Sequence, residues 1–118
     1  MLILGSGGRE SALAQKISQS AHLDKLFVAP GNAGTLQWAE NAELDPINFA
    51  QVKDFIIEND IDMLVVGPED PLVRGIHDYF QADANFRDLA IIGPWKAGAR
   101  LEGSKQFAKE FMQRAGIP

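Results

Sequence analysis

The chain opens on Leu2-Ile3-Leu4-Gly5-Ser6-Gly7-Gly8-Arg9-Glu10, and this stretch most restricts what it can become. A short apolar strand runs into a glycine-rich turn, and the turn opens directly into a helix expected to begin near Glu10. Such a turn brings bare backbone N–H groups against a ligand with no Cβ in the way. The helix start adds unpaired N–H donors and the positive end of its dipole. Together they suit an anion, most often a phosphate, and Arg9 adds a positive fork at the junction.

The same punctuation recurs downstream. Leu26-Phe27-Val28-Ala29 is a second apolar strand, ending in Pro30-Gly31-Asn32-Ala33-Gly34, a loop of turn formers. Met63-Leu64-Val65-Val66 is a third, closed by Gly67-Pro68-Glu69, and Leu89-Ala90-Ile91-Ile92 a fourth, followed by Gly93-Pro94. Helical periodicity fills the intervals: Leu13, Ile17 and Ala21 form one stripe, Phe49, Val52, Phe55 and Ile56 another, Leu72, Ile76, Tyr79 and Phe80 a third. Asp45-Pro46 and Asp70-Pro71 read as helix starts, with Asp as N-cap and Pro at the first helical position. Residues 35–44 have no clear period and stay unassigned. Leu101-Glu102-Gly103-Ser104 reads as a connection. Ser104 caps a last helix with the stripe Phe107, Ala108, Phe111 and Met112, and Gly116 stops it.

Strands alternating with helices imply an α/β fold: an open parallel sheet with helices on both faces. Parallel strands place their carboxyl ends on one edge, where ligands of such sheets bind. The four punctuation loops are therefore expected to converge there.

A chain of 118 residues has room for one domain. Its net charge of −5, with no block of Lys or Arg, excludes a nucleic-acid surface. No apolar run is long enough to cross a bilayer. The lack of a signal-type leader and of any cysteine leads to an expectation of a cytoplasmic protein without disulfide, thiolate or zinc–sulfur chemistry. His22 and His77 have no metal-ligand spacing, so no metal site is expected. Both read as surface or helix-end residues, and Trp38 and Trp95 as packing rather than stacking platforms.

A dinucleotide fold is the obvious comparison. Gly5 and Gly7 match the first two glycines of G-x-G-x-x-G, but Glu10 stands in the third place. The second strand ends Val28-Ala29-Pro30, without the acidic residue that would hold ribose hydroxyls. NAD binding is not expected.

Four blocks occur in order: Gly5-Ser6-Gly7-Gly8-Arg9-Glu10, Ala29-Pro30-Gly31-Asn32-Ala33-Gly34, Val65-Val66-Gly67-Pro68-Glu69-Asp70-Pro71-Leu72-Val73, and Leu101-Glu102-Gly103-Ser104-Lys105-Gln106-Phe107-Ala108-Lys109. With them the chain resembles, over essentially its whole length, the N-terminal part of the glycinamide ribonucleotide synthetases (phosphoribosylamine–glycine ligases). That resemblance implies a Rossmann-like domain at residues 1–100 preceding an ATP-grasp region, with residues 101–118 as linker and first helix leading toward it. It implies an ATP-dependent ligase of purine synthesis that joins glycine to 5-phosphoribosylamine through a glycyl phosphate. ATP and Mg²⁺ or Mn²⁺ would act in the full-length enzyme, with none expected on this piece alone, which is expected to be inactive. One departure is visible: the family usually has His after Arg-Glu, where this chain has Ser11.

Under this resemblance Gly7, Gly8 and Arg9 contact the phosphate of phosphoribosylamine, against the alternative of a structural turn with a solvated Arg. Gly31 and Asn32 close over the same ligand or form an ordinary turn. Glu69 suits ribose hydroxyls or the substrate amine, while Asp70 is read as a helix cap. Lys105 contacts nucleotide phosphates or is a solvated lysine. The rival expectations are another ATP-grasp ligase or carboxylase, and a stand-alone sugar-phosphate-binding module.

Overall fold

Leu2, Ile3 and Leu4 are 0 % exposed, which a strand achieves only with neighbours on both edges and layers on both faces. The computed structural model, which describes residues 1–118, gives them that position. β1 (Leu2–Gly5) is the middle of a five-stranded sheet with β2 (Phe27–Pro30), β3 (Glu40–Asn41), β4 (Met63–Val66) and β5 (Ala90–Ile92). The strand order is β3-β2-β1-β4-β5 and every pairing is parallel. Leu4 lies opposite Ala29 on one side and Val66 on the other.

The two-residue period of the strands divides the core into two layers. Leu2, Leu4, Phe27, Ala29, Leu64 and Val66 face the larger cluster. There α2 (Phe49–Glu58) contributes Val52 and Ile56, α3 (Glu69–Val73) Leu72, and α4 (Ile76–Gln81) Ile76 and Phe80. Ile3, Val28 and Val65 face the other way, against Ala14 of α1 (Gly8–Ser18). Connections stepping toward β3 and those stepping toward β5 must lie on opposite faces if all crossovers are right-handed. The helices follow that rule, and the step between β1 and β4 is where the strand order reverses.

The α/β expectation therefore holds, with local corrections. The unassigned stretch supplies a strand, β3, so the sheet has five strands rather than four. α1 begins at Gly8, not near Glu10, and its buried residues are Glu10 and Ala14, while Leu13 and Ile17 are half-buried and Ala21 is exposed. α2 begins three residues after the Asp45-Pro46 start: Asn48 is its cap, accepting from Gln51 N–H at 3.2 Å. Asp45 instead accepts from Ile47 N–H at 3.1 Å, a local turn that competes with helix. Asp70 is not a cap either, because α3 already starts at Glu69, and its carboxylate pairs with Arg74 at 2.8 Å.

The third helical stripe breaks at Gly75, whose φ of 91° separates α3 from α4. Tyr79, at the border of the α4 stripe, stays 39 % exposed while packing against Phe49 and Phe80. The stretch before Ser104 is not a connection but part of α5 (Lys96–Gly103), which packs on α3 closely enough that a Cβ on Gly103 would overlap Val73. Ser104 caps α6 (Lys105–Arg114), accepting from Phe107 N–H at 3.2 Å. Gly116 (φ 66°) stops it, with Ile117 N–H donating to Met112 O at 2.8 Å. No residue of α6 is buried, so its apolar stripe is not core.

Phe80 is 0 % exposed and meets Phe86 and Tyr79 edge to face at 5.1 and 5.2 Å. Phe80→Ala should cost about 3–5 kcal/mol of unfolding free energy by urea titration; a loss under 1 kcal/mol would mean that this layer is not close-packed.

Lys53 of α2 donates to Asp83 at 3.0 Å, with both side chains about a third exposed. The hydrogen bond to Asp83 holds the Lys53 ammonium above its ordinary 10.5. The Asn85 N–H, then Lys53, hold the Asp83 carboxyl below its ordinary 3.8. The stabilisation is therefore full between these two ordinary values. It is lost as pH falls from 3.8 through the lower folded value of Asp83, or rises from 10.5 through the higher one of Lys53. Melting temperatures of wild type and Asp83→Asn should differ by a constant gap near neutrality that closes below pH 3.8. A gap that persists undiminished in acid would assign the effect to something other than charge.

Candidate functional site at the carboxyl edge of the sheet

Parallel strands deliver four loops to one edge: residues 6–7 after β1, 31–34 after β2, 67–68 after β4 and 93–95 after β5. The space between the first and third is filled by Glu10, which is 4 % exposed. Its Oε2 accepts from Gly7 N–H at 2.7 Å, the carboxylate half of a capping box at the start of α1. The side chain lies flat on the backbone of both loops. A Cβ on Gly5 would stand 2.6 Å from Glu10 Cδ, and one on Gly67 would overlap Glu10 Oε1. Any side chain at Gly67 would displace the carboxylate.

Arg9 bridges the same two loops from above, its Nη1 donating to the carbonyl of Gly67. The guanidinium keeps further donors, and the residue is exposed. Gly8 and Arg9 are also the first two residues of α1, so their N–H groups have no acceptor within the helix. Glu69, the first residue of α3, is exposed at the same edge and makes no ion pair.

The second loop is clamped onto the first through Asn32. Its Nδ2 donates to Ser6 O at 2.9 Å and Gly7 O at 3.2 Å, and its Oδ1 accepts from Thr35 N–H and Ser11 Oγ, both at 3.0 Å. The amide is thus committed to the protein. Thr35, 0 % exposed, accepts from Asn32 N–H at 2.9 Å and lies 2.6 Å from Asn41 Oδ1. Asn41 Nδ2 donates to Asn32 O at 2.9 Å. Gly31 adopts φ 73°, its N–H donates to Gly5 O at 3.0 Å, and a Cβ there would overlap Asn41 Oδ1. Ser11, where the family usually has His, spends its hydroxyl on this clamp.

Gly7, Gly8, Arg9, Gly31, Asn32 and Glu69 are therefore all brought to one edge. The donors of Gly7, Gly31 and Asn32 are used within the protein, while the backbone N–H groups of Gly8 and Arg9 and the remaining guanidinium donors of Arg9 are not, and both residues are exposed. Lys105 is the exposed first residue of α6, and Gly103 just before it packs on Val73 of α3.

Sequence reading missed Glu10, Ser11, Thr35 and Asn41. For Glu10 a signal existed, a carboxylate at the third position of a helix that begins at Gly8, hidden by placing the start too late. The fourth loop holds one more pair: Trp95 stacks on His77 at 4.2 Å, and His77 Nδ1 lies 2.7 Å from Gly93 O.

A wide cleft of about 750 Å³ opens at the opposite, amino edge. Asp24, Glu58, Asp60 and Asp62 line it beside Lys25 and Met1, and this net negative lining disfavours an anion there. No three His, Asp or Glu side chains are grouped to hold a metal ion, and no helix is long and apolar enough to cross a membrane.

Comparison with known proteins agrees with the α/β fold. The chain is 50 % identical over 118 residues to the phosphoribosylamine–glycine ligase of Rhodopirellula baltica, covering all of this chain and 26 % of that protein. It is 51 % identical over 118 residues to the enzyme of the same name from Mesorhizobium japonicum, covering 27 % of it. The chain thus spans about a quarter of the length of the curated relatives it matches. The crystal structure of phosphoribosylamine–glycine ligase from Thermotoga maritima superposes with a TM-score of 0.62 at 29 % identity, over 98 % of this chain and 25 % of that one. The family model described as phosphoribosylglycinamide synthetase, N domain, matches residues 1–102. On that match, and on half-identity to such ligases along its whole length, the chain belongs to the phosphoribosylglycinamide synthetase N-domain family.

Proposed function

We propose that this chain is the substrate-side domain of a phosphoribosylamine–glycine ligase acting in purine synthesis in the cytoplasm, and that it seats 5-phosphoribosylamine at the carboxyl edge of its sheet. The observation that supports this best is the meeting of the unpaired N–H groups of Gly8 and Arg9, the spare donors of Arg9, and the unpaired Glu69 on one edge. The first two suit a phosphate. The carboxylate suits ribose hydroxyls or the amine. Gly7, Gly31 and Asn32 shape the seat by their bonds to neighbouring loops.

In the whole ligase the amine would be joined to glycine at the expense of ATP, through a glycyl phosphate, in an ATP-grasp enzyme using Mg²⁺ or Mn²⁺. In residues 1–118 no acidic cluster is grouped for a divalent ion, and Lys105, the residue assigned in this reading to nucleotide phosphates, is exposed at the start of α6. No chemical step is assigned to this stretch. Residues 1–100 form the substrate domain in this reading, with the end of α5 (to Gly103) still packed on it, and the rest of residues 101–118 lead toward the catalytic region.

Calorimetric titration with ribose 5-phosphate should give saturable binding. Arg9→Ala should weaken it by roughly tenfold to a hundredfold, the worth of one charge-assisted hydrogen bond. Equal affinity in wild type and variant would remove Arg9 from the site, and no binding by a folded wild type would sink the reading. The second expectation is that the purified chain releases no ADP from ATP in a glycine-dependent manner; turnover above a no-protein control would contradict the division of labour.

A further inference from the structure

The place of Glu10 gives it a role beyond capping. In a dinucleotide fold the third glycine of G-x-G-x-x-G leaves room for helix and strand to pack closely, beside the turn that holds the pyrophosphate. Here position 10 carries a side chain, and it folds back into that room. It is more than nine-tenths buried, bonded to Gly7 N–H at 2.7 Å, and pressed on the backbones of Gly5 and Gly67. The crevice it fills lies between β1 and β4, where the strand order reverses and a diphosphate would otherwise settle. Its Oε2 occupies the N–H that such a diphosphate would need. We propose that Glu10 is a specificity-determining and positioning residue, which closes this crevice to diphosphates and braces the loops after β1 and β4 so that the edge accepts a sugar monophosphate.

The inference rests on the reading of this edge as a sugar-phosphate site. It makes two demands of Glu10, an acceptor for Gly7 N–H and a volume between Gly5 and Gly67. Glutamine meets both and alanine neither. Aspartate, one methylene shorter, meets them only in part.

The experiment uses the 118-residue chain and its Glu10→Gln, Glu10→Asp and Glu10→Ala variants. It reads amide hydrogen exchange at Gly7 without ligand, and titrations with ribose 5-phosphate and with inorganic pyrophosphate. Wild type and Glu10→Gln should protect Gly7 alike and prefer ribose 5-phosphate. Glu10→Ala should exchange Gly7 roughly tenfold faster. Its preference should move toward pyrophosphate by about tenfold, the result of freeing one donor and the space beside it. Glu10→Asp should fall between, and it stands in for the alanine variant if that does not fold.

A Gly7 exchange rate and a ligand preference unchanged from wild type in Glu10→Ala, or in Glu10→Asp as its stand-in, would overturn the proposal. So would Glu10→Gln behaving like Glu10→Ala. If the wild type binds neither probe, the sugar-phosphate reading falls by itself, and Gly7 exchange alone decides whether Glu10 braces the loops.

Discussion

One carboxylate fixes the geometry of the edge. Glu10 leaves the first turn of α1, enters the gap between β1 and β4, and ends on Gly7 N–H. Gly5, the last residue of β1, and Gly67, the first after β4, have no side chain where it passes. Arg9 then crosses above it to the Gly67 carbonyl. Adjacent residues of one helix thus tie the first loop to the third, Arg9 reaching Gly67 across 58 positions of sequence. The contact is possible only because β1 and β4 are direct neighbours in the sheet.

That neighbour relation follows in turn from burial. A strand as apolar as Leu2-Ile3-Leu4 finds full cover only at the centre of the sheet, and the chain then adds β2 and β3 to one side and β4 and β5 to the other. Right-handed crossovers force the two sets of connections onto opposite faces. The reversal point therefore falls beside the first strand, directly under the first glycine loop. The Asn32 clamp does for β2 what Glu10 does for β4, so three loops share one set of bonds.

The fold was legible where signals are local and repeated. Four apolar strands, each ended by a Gly or Pro turn, imply a parallel sheet without further information, and Ser104 and Gly116 mark their helix ends by chemistry alone. β3 was not legible, because Glu40 and Asn41 have no strand character of their own and pair only because Phe27 and Val28 present an open edge. α5 was hidden by Pro94, Gly98 and Gly103, residues that read as loop. There Gly103 is a packing residue, placed where Val73 leaves no room for a Cβ. At the site, sequence identified the loops that meet but not how they are held. Asn32 reads as a ligand amide until its four bonds to the first loop, Ser11 and Thr35 are seen. Glu10 reads as a misplaced residue in a glycine motif until its burial is known.

The same geometry bears on how an acidic chain could take an anion. The net charge of −5 gives no long-range attraction, and Glu10 and Glu69 add negative charge at the edge itself. Burial confines Glu10 to the crevice, where its charge is partly met by Gly7 N–H and the dipole of α1. What is left to meet an anion, beside the exposed Glu69, is two unpaired N–H groups and a guanidinium held by one of its five donors. These act over hydrogen-bond distances, so an anion gains from them only when it is seated, and its shape decides whether it can be. A compact phosphate can meet donors grouped on the first turn of one helix. An extended diphosphate needs the crevice as well, and there it meets a carboxylate.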